Sequence, residues 1–177
     1  MLALGSFFYI NLAFAAGIPN LSSFTLPSTT TAYSAGQLMA NSATAGSVLV
    51  PSFTLQDLGL STIISRGQLQ INDSTSTAWG GQTITIDLWS AAPTFTNGDR
   101  GTYLPATNTD FHLATFTCVM SAEYGDGVYG ECGISVGNVL ALNLSTPTSI
   151  YWTATATTGS GVTGASKVVS FTPEVVH

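Results

Sequence analysis

The chain has 177 residues, enough for one domain that buries a real core. Only 7% of its residues are charged, against about 25% in an ordinary soluble domain, and the net charge is −6. That balance excludes a charge-rich helical bundle or coiled coil. It also excludes a nucleic-acid binder, which needs cations to displace phosphate counterions: Arg66, Arg100 and Lys167 are too few and too scattered. With 20 Ser, 26 Thr and 18 Gly in a chain that is 45% hydrophobic, what remains is a mildly acidic all-β protein whose surface is solvated by hydroxyls and amides. Such a surface suits burial against another protein, because few charges need desolvation.

Met1 to Ile18 is almost entirely apolar. Ala13-Phe14-Ala15 has the form of a signal-peptide cleavage site, but no Lys or Arg precedes Arg66. A membrane span needs roughly 20 apolar residues, and Gly5, Asn11 and Gly17 interrupt this run, so no membrane partner is expected. We read residues 1–20 as an interaction arm and residues 21–177 as the folded domain, with a cleaved signal as the alternative. As an arm, the segment would dock Phe7, Phe8, Tyr9, Ile10, Leu12 and Phe14 into a neighbouring subunit, and Val175 and Val176 near the other end would add contacts.

Beyond the arm, alternation of apolar and polar residues predicts strands. The expected strands are Ala32–Tyr33 through Met39, Val48–Val50, Gln68–Asn72, Thr83–Trp89, His112–Met120, Val139–Leu144, Ile150–Thr155 and Val168–Phe171, the last ended by Pro173. A short helix is expected near Thr54–Leu60, limited by Gly59. Gly-, Asn- and Asp-rich turns separate these runs, among them Trp79-Gly80-Gly81, Asn97-Gly98-Asp99 and Gly125-Asp126-Gly127. No interior stretch keeps a helical period. The expected fold is a single antiparallel β-sandwich or jelly roll of eight to ten strands.

Residues for chemistry are scarce. His112 and His177 are the only histidines, and no G-x-S-x-G or nucleotide-binding glycine pattern occurs, so no enzymatic activity is expected. Asp73, Asn97, Asp99, Asp110 and Asp126 lie in turns, where Asx side chains serve the backbone, and no cofactor or metal is expected. Trp79, Trp89 and Trp152 could form a sugar platform, with Trp79 in its turn the best placed for exposure. If Tyr124-Gly125-Asp126 is a three-residue hairpin loop, Cys118 and Cys132 stand directly opposite each other. A disulfide there and a pair of free thiols in a reducing cytosol both remain open.

Two blocks carry a family resemblance. Phe24-Thr25-Leu26-Pro27 followed by Thr31-Ala32-Tyr33-Ser34-Ala35-Gly36 is similar to the opening of a group of tailed-bacteriophage virion proteins, read roughly as F-T-x-P … T-x-A-Y-x-A-G-D. The strand Ile84 to Trp89, followed by Ser90-Ala91-Ala92-Pro93-Thr94-Phe95 and Asn97-Gly98-Asp99, resembles that group's second block. Ile63 to Ile71 is a looser match between them. Gln37 stands where the family usually has Asp, and the apolar segment before Ile18 is outside the pattern. The resemblance implies a capsid cement or decoration protein with a jelly-roll core on the outer surface of the virion. Its implied partners are the major capsid protein and copies of itself, as a dimer or trimer. The rival readings are a carbohydrate-binding fibre or surface module with Trp79 and Tyr103 exposed, and a secreted bacterial β-sandwich with a cleaved signal.

Overall fold

The computed structural model describes residues 22–28, 31–55, 61–72, 79–121, 127–135, 140–143, 146–158 and 166–176. The expected arm, residues 1–20, and His177 lie outside them. The described residues form ten strands: β1 (Ser22–Thr25), β2 (Gln37–Met39), β3 (Ser52–Leu55), β4 (Ser61–Ile71), β5 (Thr83–Trp89), β6 (His112–Met120), β7 (Val128–Ile134), β8 (Leu140–Asn143), β9 (Thr148–Ala156) and β10 (Val168–Val176). All pair antiparallel in one sheet of order β1-β10-β4-β7-β6-β5-β9-β2. β8 extends the β7 side of β4, and β3 extends the β2 side of β9. The protein is all-β. Its sandwich-like body arises because this single sheet curls until its two ends face each other.

The curl is held by the inner face. Ile84, Ile86 and Leu88 of β5 alternate with polar residues, and the register sets them beside Cys118, Phe116 and Ala114 of β6 and beside Ala156, Ala154 and Trp152 of β9. A strand with period two puts one such set on one face. From the far side, Phe24 of β1 and Phe171 of β10 stack against Trp152, with ring centroids 5.5 and 5.7 Å away. Phe171 also meets Phe53 of β3 and Phe116 of β6. Trp152 Nε1 donates to Ser22 Oγ at 2.9 Å, so one side chain ties β9, next to one end of the sheet, to β1 at the other.

Several expectations change. Of the stretch Ala32 to Met39, only Gln37–Met39 is strand, because Gly36 adopts a left-handed φ of 79° and turns the chain. Val48–Val50 is not a strand. The strand follows it, at Ser52–Leu55, where the sequence suggested the start of a helix; residues 56–60 lie outside the described residues. Pro173 does not end β10, which continues to Val176. The alternation explains why: Leu26 N–H bonds Lys167 O and Asn72 N–H bonds Val168 O, so odd-numbered β10 residues face β1 and even-numbered ones face β4. The missing N–H of Pro173 therefore falls on the β1 side, past the described length of β1, which ends opposite Phe171.

Candidate functional site

Residues 90–111 leave the sheet after β5, cross its outer face and return as β6. Two polar clusters hold this excursion. In the first, the Asp99 carboxylate sits at the centre of a clasp. Its Oδ1 accepts from the Tyr33 hydroxyl at 2.5 Å and from Ala40 N–H at 2.9 Å, and its Oδ2 pairs with Arg100. Arg100 lies over the Tyr33 ring, 4.3 Å from its centroid, and its Nε donates to Thr31 O at 2.8 Å. Asn97-Gly98-Asp99 can lie this close only because residue 98 is Gly: a Cβ there would collide with the carbonyl of Ala43. Burial pushes the Asp99 carboxyl above its ordinary value, against the pull of the Tyr33 and Ala40 hydrogen bonds and the Arg100 charge. Burial, reinforced by the Asp99 charge, also holds the Tyr33 phenol far above its ordinary range. The clasp is fully engaged, so the Asp99 turn is a structural joint.

The second cluster is an oriented chain of hydrogen bonds. Trp89 Nε1 donates to Thr153 Oγ1 at 3.1 Å, the Thr153 hydroxyl lies 3.0 Å from the Tyr103 hydroxyl, and Tyr103 donates to Asp87 Oδ2 at 2.7 Å. The Thr115 hydroxyl donates to Asp87 Oδ1 at 2.5 Å. β5, β6 and β9 set Asp87, Thr115 and Thr153 side by side in register. Burial is the main reason that the Tyr103 phenol is raised far above its ordinary range, with the Asp87 charge adding to it. His112 Nε2 contacts both Asp87 Oδ1, at 3.2 Å, and Thr115 Oγ1, at 3.1 Å. A relay from carboxylate through imidazole to a hydroxyl needs the two partners on opposite ring nitrogens. Here one nitrogen meets both, and the hydroxyl already donates to the carboxylate. The arrangement cross-links strands and does not have the geometry of that relay.

This chain of bonds makes a measurable prediction. Tyr103→Phe will lower the unfolding free energy by about 1.5–3 kcal/mol, the range for a hydrogen bond to a charged group. Urea unfolding reads it, and a change below ~0.5 kcal/mol would show that the network does not hold the excursion in place.

Cys118 and Cys132 pair across β6 and β7, and a disulfide joins them. Both are buried. The bridge closes a loop with a sequence separation of 14, for which chain-entropy arguments give about 3 kcal/mol of stabilisation. A Cys118→Ala, Cys132→Ala double variant will unfold at a correspondingly lower urea concentration. Adding reductant to the folded wild type will act slowly, since the sulfurs are out of reach until the strands open.

Other expected contacts fare differently. Trp79 is 1% exposed, beside Tyr33 in the core, and Trp89 and Trp152 are also buried. Tyr103 spends its hydroxyl on Asp87. The described tryptophans therefore form no exposed sugar platform. Val175 is half-buried against the core, while Val176 is 46% exposed. Phe7, Phe8, Tyr9, Ile10, Leu12 and Phe14 lie outside the described residues, as do Asp73 and Asp126. Among the described residues no group of three His, Cys, Asp or Glu could hold a metal, and no helix is long and apolar enough to cross a membrane. The Asp87 and Asp99 clusters had no signal in the sequence beyond the turn at Asn97-Gly98-Asp99, since their partners lie up to 66 residues away. No protein-family model matches the chain, and no curated protein is significantly similar to it.

Proposed function

We propose that this chain is a structural virion protein of a tailed bacteriophage: a capsid cement or decoration protein. It would bind the outer capsid shell and stabilise it by bridging major capsid subunits, without catalysing a reaction. The observation that carries the reading is the clasp. The two blocks behind the family resemblance, far apart in sequence, meet through Tyr33, Asp99 and Arg100, which supports reading them as parts of one unit. Gln37, where the family usually has Asp, still supplies a side-chain acceptor: its Oε1 takes Ser34 N–H at 2.7 Å. A surface with so few charges costs little to desolvate against a shell.

The experiment is proteomics of purified virions, joined to a heat challenge of heads with and without the protein. The expected result is its presence in stoichiometric amount, and heads that lose DNA at lower temperature without it. Absence from particles overturns the reading. The buried Cys118–Cys132 disulfide suits a particle that persists outside the cell. It equally favours a second reading, a secreted bacterial β-sandwich with a cleaved signal. Mass spectrometry of the mature N-terminus separates the two, because a start at Ala16 or Gly17 belongs to the secreted protein.

A further inference from the structure

The two ends of the curled sheet leave a gap between β1 and the chain entering β3. Ser22 and Phe24 of β1, and Leu26 just after it, turn their backbone to β10, as the Leu26 N–H to Lys167 O bond of 2.8 Å fixes. The N–H and C=O groups of Ser23 and Thr25 therefore point away from β10, and no strand among the described residues pairs with that edge. Across the gap, Trp152 N–H bonds Pro51 O at 3.0 Å, and the same alternation turns the backbone of Val50 and Ser52 away from β9. Between the two edges lies a cavity of about 450 Å³, walled further by Phe24, Asn41, Leu49 and Pro51. Leu49 stands at its rim 72% exposed, and Asn41 Oδ1 fixes it there by accepting Leu49 N–H at 2.8 Å. Apolar walls flanked by unpaired backbone edges offer an incoming strand its hydrogen bonds and a place for alternate side chains.

We propose that this groove takes the N-terminal segment of a second copy, residues 7–14, as an added strand on β1. The segment suits the site: Phe7, Phe8, Tyr9, Ile10, Leu12 and Phe14 are apolar and uncharged. It lies seven residues ahead of β1 in the same chain, so each copy that offers a groove also carries the segment. Its own groove is a poor match. A fold-back would use Gly17-Ile18-Pro19-Asn20 as the reversal, which sets residues 12–14 opposite Ser23–Thr25. Phe7 to Ile10 would then run past Thr25, where β1 ends. A second copy is not tethered by that reversal, so any part of the segment, Phe7 to Ile10 included, can lie against Ser22–Thr25. This inference rests on the arm of the proposed virion role, supplying the link between copies.

Sedimentation of the purified full-length protein tests it. The expected result is reversible self-association at micromolar concentration, weakened about tenfold or more by Leu49→Asp, which puts a charge at the groove rim. Ser23→Pro, which removes an outward N–H that β10 does not use, should act alike. Deletion of residues 1–18 should give a monomer with unchanged circular dichroism. Association that survives both point variants would be non-specific and would overturn the proposal. So would a monomeric full-length chain, including one that Leu49→Asp destabilises without changing its mass, since that arm would lie on its own β1. A mature chain starting at Ala16 or Gly17 would overturn it as well. Absence from virions, with self-association intact, removes the proposed virion role and leaves this interface standing.

Discussion

Trp152→Ala will destabilise the protein by about 3–5 kcal/mol, at the upper end of large-to-small core substitutions. The indole is fully buried and stands between Phe24 and Phe171 at the junction of the sheet's two ends. Its removal leaves a cavity between Phe24 and Phe171, and it orphans the hydroxyl of buried Ser22. Domains of this size are stable by only about 5–15 kcal/mol, so the variant will unfold early in urea or fail to accumulate. Trp152→Phe keeps most of the packing and loses the Ser22 bond, and should cost about 1–3 kcal/mol. Urea midpoints for the pair separate packing from hydrogen bonding. A loss below ~1 kcal/mol for Trp152→Ala would mean that the sheet ends do not depend on this contact.

Asp99→Ala will cost about 3–5 kcal/mol, the range for breaking a buried ion pair by removing one partner. The Tyr33 hydroxyl and Ala40 N–H lose their acceptor, and Arg100 is left near the core without its carboxylate. Asp99→Asn tests the charge separately. The amide oxygen can still take Tyr33 and Ala40, so its loss should be smaller than that of Asp99→Ala. Equal losses in the two variants would assign the whole effect to the Arg100 pair. Thermal unfolding followed by tryptophan fluorescence reads both, because Trp79 stacks near Tyr33.

Much of the sheet was legible because local alternation is strong where both faces are decided. β5, β6 and β9 carry apolar residues at every second position, and their neighbours in the sheet agree. A three-residue loop at Tyr124-Gly125-Asp126 implies the β6–β7 register observed, with Cys118 opposite Cys132; the loop itself lies outside the described residues, and β7 alternates poorly with Gly130 and Gly133 inside it. The misplaced elements have tertiary causes. Val48 and Val50 are apolar because they cover Leu38 and Phe95 on the outer face, not because they pair as a strand. Pro173 is tolerated because its missing donor faces past the described end of β1, which no reading of residues 168–176 alone could reveal. The clasp and the Asp87 cluster were the least legible. Each buries one carboxylate among partners from distant segments, and a lone Asp in a turn or a strand does not announce them.

The position of β10 sets the order in which the protein can fold. β10 lies between β1 and β4, yet it is the last of the described strands to leave the ribosome. Until it emerges, β1 has no strand to pair with, and Phe171 is missing from the cluster that closes the core. A nascent chain can build the β4 to β9 portion, but its earliest strand must wait for its latest. Contacts between such distant segments make folding slow, in the millisecond-to-second range of all-β sandwiches. The half-built sheet exposes an unpaired edge of β4 while it waits, and that interval is when aggregation competes most strongly with folding.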